Sequence, residues 1–504
     1  MTHLMRTASG LALAAAASML ATSAFAADLG GNCCTDLEER VAELEATTVR
    51  KGNRKVSLQV YGQVSEAVIW WNDGAESNVY VQENNWIKNT LGFQGNAKIT
   101  SDWSAGFKLE LQVRAYRSSS ANQLALGASN NLQIVTYNTQ AISARHAYWY
   151  LQSNAYGRIT VGRDVDSAVG TSTITLVNPD GFSGLNGPGF ANGGFFLRRA
   201  GTTGNAGLSQ QTWQNFSWIR NGDGPAPFDY SQTKGLVKYT SPFFLGQTKS
   251  SGFQFAADWG ADDAWSTALR FAEEFGSVRF AAGVGYSNWR GPDRNMCSTG
   301  ASGNLRDAGT NNPVHGGTNP QGDLGSAVNC DSFQASASLL HVPTGLFVSG
   351  GGGMMTDHNS GQASLARTNG FQGQSDGRSS AWWIMGGWEA KLNPLGKTIF
   401  WGQYVDFNTG LGVNQQGQTN LVQQVAANDT INSLGTAAII RGSSTQSWGL
   451  GVSQNVDAAA MTLYAGFHNV STEGTLGSTT SSALGKTNPI DDMQIFYTGA
   501  TIRF

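Results

Sequence analysis

Charge is scarce in this chain. Only 13% of its 504 residues are Asp, Glu, Lys or Arg, roughly half the share of an ordinary soluble domain. The formal net charge is −3, so there is no field of one sign to draw the molecule to phosphate backbones, and a nucleic-acid partner is excluded. Long apolar runs are missing as well: beyond residue 21 nothing approaches the roughly 20 residues of a spanning helix. Proline occupies 11 positions, histidine six and cysteine four. No CxxC or His/Cys spacing suggests a metal or another cofactor. Beyond the leader, His146, His315, His341, His358 and His468 have no Ser or acid partner at a triad spacing, so an enzyme is not expected. What the chain does have is 64 Gly, 15 Trp and 10% aromatics. If it enters a membrane, it does so as strands.

The first residues, MTHLMRTASGLALAAAASMLATSAFA, place Arg6 before an apolar stretch from Leu11 to Ala21 and end on the small-residue site Ala24-Phe25-Ala26. This predicts a cleaved secretory signal over 1–26. Export to an oxidising compartment suits four cysteines. Cys297 and Cys330 bracket a Gly- and Asn-rich stretch and are expected to form a disulfide, whereas adjacent Cys33 and Cys34 are too strained to pair with each other. Within the 27–54 segment, Leu37, Val41 and Leu44 trace a heptad seam about two repeats long. It predicts a short coiled-coil-like helix, dependent on an oligomer or in contact with the periplasm or cell wall through residues 28–52; a solvated linker is the alternative.

After Gly52 the hydropathy period changes to two. From Phe107 to Ala115 every odd position is apolar and every even one polar or charged, so one face meets oil and the other water. The pattern recurs in about 16 segments, the signature of a membrane barrel. They fall near 55–71, 87–100, 103–117, 142–153, 155–164, 232–241, 249–260, 263–275, 276–288, 330–341, 344–356, 380–393, 396–408, 444–457, 458–469 and 491–504. Short connections, among them the Pro242 turn, alternate with mostly long ones covering 72–86, 118–141, 165–231, 289–329, 357–379, 409–443 and 470–490. Periplasmic turns and external loops alternate in this way. The expected fold is an all-β, 16-stranded antiparallel transmembrane β-barrel over 55–504, preceded by the short helical segment.

Parity turns Lys108, Glu110, Gln112 and Arg114 into the lumen, with Asp258, Arg270, Arg279, Glu389, Lys391 and Asp406. Both signs on one inner surface predict a wet channel for ions and small hydrophilic solutes. Trp259, Trp265, Trp388 and Trp448 share the outward phase, as an interfacial aromatic girdle requires.

Four features together carry a resemblance. They are the secretory signal, the first strand Val56-Ser57-Leu58-Gln59-Val60-Tyr61-Gly62-Gln63-Val64, the pair Arg145-His146-Ala147-Tyr148-Trp149-Tyr150-Leu151 and Tyr156-Gly157-Arg158-Ile159-Thr160-Val161-Gly162-Arg163, and the terminal Phe504. The chain resembles the general porins of alpha-proteobacterial outer membranes over nearly its whole mature length. The resemblance implies a homotrimer of passive, water-filled channels in a bilayer with lipopolysaccharide, the terminal Phe being read by the barrel-assembly machinery. It also implies that the 165–231 loop folds inward, so that Asp166, Asp180, Arg198, Arg199, Arg220, Asp223 and Asp229 include the constriction residues, facing Arg114, Arg145, Arg158 and Arg163. A substrate-specific channel for sugars or phosphate is the alternative function. Acids and bases balance in the loop, with Lys234 at its exit, so only weak ion selectivity is expected.

Overall fold

A computed structural model of the chain describes residues 56–113, 118, 121–124, 142–180, 182–185, 187–213, 234–260, 264–291, 328–357, 377–409, 439–477, 485–486 and 489–504. The signal, the heptad seam, Cys33, Cys34, Arg114, Arg220, Asp223, Asp229 and Cys297 lie outside them, and so does the expected disulfide.

The alternation read in the sequence is the alternation of the wall. Leu109 is 40% exposed and Glu110 3%, because one faces the bilayer side and the other the interior. The strands are β1 (Gln59–Asn72), β2 (Ser77–Glu83), β3 (Asn89–Lys98), β4 (Trp103–Val113), β5 (Ile142–Ser153), β6 (Gly157–Asp164), β7 (Phe196–Arg198), β8 (Leu208–Thr212), β9 (Lys234–Thr240) and β10 (Gly252–Gly260). They continue as β11 (Trp265–Phe275), β12 (Val278–Gly291), β13 (Val328–His341), β14 (Leu346–Asp357), β15 (Gly377–Asn393), β16 (Gly396–Thr409), β17 (Ile439–Val456), β18 (Met461–Gly477), β19 (Gly485–Lys486) and β20 (Met493–Arg503). Sixteen of them form an antiparallel circuit: β1, β3 to β6, β9 to β18, then β20, which pairs back onto β1 from Gln63↔Arg503 to Asn72↔Gln494. Closure leaves no edge, so every strand has a neighbour on each side for its backbone groups, the condition for crossing hydrocarbon.

Two connections differ from the sequence reading. Residues 72–86 are not a long loop. Asp73 turns the chain, its Oδ1 accepting the Ala75 and Glu76 amides at 3.2 and 2.8 Å, and Gly74 takes the left-handed φ of 94° that this turn needs. β2 then pairs with the upper half of β1 while β3 pairs with the lower half. Hydropathy missed β2 because only Val79 and Val81 mark its outward face before 84–88 interrupt the strand. The Pro242 turn is longer than expected: it runs from Ser241 to Ser251, with Phe244 bridged to Phe253 at the start of β10.

The interior is not uniformly polar. Between β6 and β9 the chain turns inward and runs along the inner wall, carrying the short helix α1 (Gly187–Asn192) and the β7–β8 hairpin. An apolar cluster joins this inner loop to β14–β16, β18, β20 and β1. Phe182, Leu185, Phe195, Leu197 and Trp213 from the loop pack with Trp71, Trp383, Trp401, Phe407 and Tyr497. These strands are apolar on both faces, which is why their alternation is the loosest in the sequence.

Candidate pore and its inner loop

The loop sits where the wall leaves room and supplies hydrogen bonds. At its start the Ser167 amide donates to Asp258 Oδ2 and to Ser266 Oγ, and Arg270 donates to the Ser167 and Val169 carbonyls, both at 2.8 Å. Gly283 and Gly285 of β12 present no side chain there; a Cβ at Gly285 would lie 2.4 Å from Thr171 Oγ1 and 2.9 Å from Ala168 Cβ. The Ile174 and Leu176 amides then donate to Ser336 and Ser338 of β13 at 2.8 and 2.9 Å. The Trp383 indole donates to the Ser172 carbonyl at 2.8 Å, and Gln403 accepts the Gly184 amide. Buried loop backbone needs such partners because water is excluded from it.

Farther on, Asp180 Oδ1 accepts the Phe182 amide at 2.7 Å and its Oδ2 accepts the Tyr497 hydroxyl at 3.3 Å. The Phe182 carbonyl is bonded to His468 Nε2 at 2.8 Å. Arg198 reaches Asp73 of the β1–β2 turn at 2.8 Å and Glu76 at 3.4 Å. The loop thus follows the inner wall from β10 round to β1.

These contacts locate the residues expected in the loop. Asp166, Asp180 and Arg198 are buried in the loop–wall packing, and Arg199 is half-buried. Burial pushes the Asp180 carboxyl up to about 6, against the Phe182 amide that favours its charged form. Burial likewise raises the Asp166 carboxyl above its ordinary value, with Lys234 pulling the other way.

The wall from β3 to β9 receives none of the loop anchors just named from residues 167–198, and here the charges lie. Glu110 accepts from Arg145 at 2.7 Å and from Tyr61 at 2.7 Å, and lies 3.1 Å from Lys108. Asp164 is bridged by His146 at 2.9 Å and Lys238 at 2.5 Å. Arg158 rests on Tyr150, 3.8 Å from the ring centroid, and its Nε donates to Thr160 at 3.1 Å. Arg145 and His146 are consecutive yet both reach inward, because a bulge opposite Glu110/Leu111 inserts one extra residue into β5. Strict period-two reading leaves Arg145 in phase with outward residues for that reason. Arg163 keeps the outward phase and is exposed.

The remaining lumen candidates divide. Arg270 holds the loop, as above. Arg279 pairs with Glu274 at 2.7 Å and Glu389 with Lys397 at 2.6 Å, both near the short-turn end, where Lys391 is exposed. Sequence reasoning missed the serine and glycine positions that seat the loop. Their signal is present: the inward positions of β12 and β13 (Gly283, Gly285, Ser336, Ser338) are small and uncharged, unlike those of β4.

This geometry, a closed wall with a loop drawn across part of its lumen, sits beside the following likenesses. Residues 12–382, most of the chain, match the family model described as Gram-negative porin. Among solved structures, an anion-selective porin from Comamonas acidovorans is 13% identical, covers 89% of this chain and 100% of its own, and gives a TM-score of 0.48. OmpF of Salmonella typhi, in complex with daunomycin, is 12% identical over 91% and 100% at 0.46. The DcaP channel of Acinetobacter baumannii is 9% identical over 90% and 99% at 0.44. No curated sequence matches the chain. The chain belongs to the Gram-negative porin family and is an outer-membrane β-barrel channel for small solutes.

Proposed function

We propose that solutes cross by passive diffusion along the β3–β9 side of the lumen, with the inner loop narrowing the passage from the opposite side. The observation that carries this reading is the division of the interior: one arc is occupied by the loop and its apolar packing, and the other is lined by ionised side chains, which require water. On the charged arc Lys108, Arg145, Arg158 and Lys238 outnumber Glu110 and Asp164 among the described residues. We therefore assign a weak preference for anions, set by the local potential where the wall is driest.

Catalysis has no place in it. His146 is engaged by Asp164, and His468 by the Phe182 carbonyl. The sequence supports further assignments to an alpha-proteobacterial type of general porin: export by a signal removed after Ala26, a homotrimer, contact with lipopolysaccharide, a cell-wall or periplasmic contact through residues 28–52, and a Cys297–Cys330 bridge.

Liposome swelling tests the diffusion reading. Rates for neutral sugars should fall smoothly with molecular size and show no saturation. Saturable flux of one sugar at millimolar concentration would favour the substrate-specific channel instead.

A further inference from the structure

We propose that the recess at the short-turn mouth, between β5, β6, β9 and β10, is a binding subsite for a small oxyanion, a phosphate or carboxylate group, as it leaves the channel. The proposal rests on the channel reading above and adds a place and a ligand class to it. The cavity has a volume of about 510 Å³ and is lined by three cations, Arg158, Lys238 and Lys249, and by one carboxylate, Asp164. That volume is within the roughly 300–1,000 Å³ typical of small-molecule sites.

The carboxylate does not cancel the cations. Asp164 Oδ2 is taken by Lys238 at 2.5 Å and its Oδ1 by His146 at 2.9 Å. Among the described residues Arg158 and Lys249 have no carboxylate partner. Arg158 is also held in one orientation: its guanidinium lies 3.8 Å from the Tyr150 ring centroid and 5.5 Å from that of Tyr148, and its Nε is fixed on Thr160. A stacked guanidinium is weakly hydrated and keeps its planar donor edge for a planar or tetrahedral oxyanion. Lys249, on the β9–β10 connection, adds an exposed point charge to the lining.

Register places the recess in a sequence of charges. Arg145 stands toward the long-loop end of β5, Lys238 lies opposite Thr160, and Arg158 lies opposite Gln152 and Thr240 next to the short turns. An anion entering beside Arg145 therefore meets a cation at each stage down to Lys249, and the recess is the last.

Two readouts test this on the full-length protein in detergent and in planar bilayers, with inorganic phosphate as probe. Calorimetric titration should show saturable phosphate binding, and phosphate should block chloride current, more strongly from the short-turn side. Arg158→Gln should weaken both by about tenfold, the loss of one charge-assisted hydrogen-bond pair. Lys249→Gln, on an exposed connection that does not hold the fold, should weaken both by about threefold. Lys98→Gln removes an equal charge from the same mouth outside the recess and should change neither. Equal effects of Lys98→Gln and Lys249→Gln would reduce the site to a diffuse field and overturn the proposal. So would chloride conductance with linear, unsaturable phosphate behaviour. Absence of all current would defeat the channel reading, while the calorimetric arm still decides the subsite.

Discussion

Asp180 ties the inner loop to β20 through Tyr497 and closes a turn onto the Phe182 amide. Its carboxyl is held at about 6 against an ordinary 3.8, because burial disfavours the charge. The folded loop therefore prefers the protonated form. Stability from this group is complete below about pH 4 and is lost as pH rises through 6, a difference on the order of 3 kcal/mol. Hydrogen exchange at Phe182 and Gly184 should accelerate between about pH 4 and 6 in the native protein. In Asp180→Asn the same amides should show no such pH-dependent loss of protection once intrinsic exchange is corrected for. Trp383 contributes by packing as well as by its indole hydrogen bond, and it is 2% exposed. Trp383→Ala should cost the docked loop about 3–5 kcal/mol, the usual range for a large aromatic truncated in a core. The check is faster exchange across 172–185 with a wider, noisier open channel.

At the scale of elements, the strands were legible because one physical demand, oil outside and a different medium inside, acts on every second residue. The strand count and the face of each residue follow from Phe107–Val113 and its repeats. β2 escaped because only Val79 and Val81 mark its outward face, and Arg145 fell in the outward phase because a bulge shifts the alternation within β5. The loop's course was legible only by resemblance. No periodicity marks residues 165–213, and their partners, such as Ser336 and Gln403, lie more than 160 residues away. The resemblance offered Asp166, Asp180 and Arg198 among the constriction residues, and the structure buries all three in the loop–wall packing. Gly285 tests the seat of the loop. Gly285→Leu would place a side chain where Thr171 and Ala168 now sit and should push the segment into the lumen, at about 1–3 kcal/mol of strain. Single-channel recording should then show a smaller unit conductance with the barrel intact.

For the whole molecule, the interior divides into an arc occupied by the loop and a charged arc from β3 to β9, the one proposed to conduct. Glu110 is the pivot of the conducting arc, since it neutralises part of Arg145 and Lys108. Glu110→Gln should raise the anion-to-cation permeability ratio, read as a reversal-potential shift in a salt gradient toward the chloride potential. The shift should shrink as ionic strength rises and the Debye length falls below the lumen width. A shift toward cations would show that these bases do not face the ion path.

The central claim is that the barrel interior, though partly filled by its own loop, remains an aqueous passage along β3–β9. Single-channel recording with uncharged polymers of graded size addresses it most directly. The account predicts ohmic steps whose height is reduced by small polymers that enter and left unchanged by large ones that do not. A protein that inserts and yields no steps, or steps indifferent to every polymer size, would contradict it.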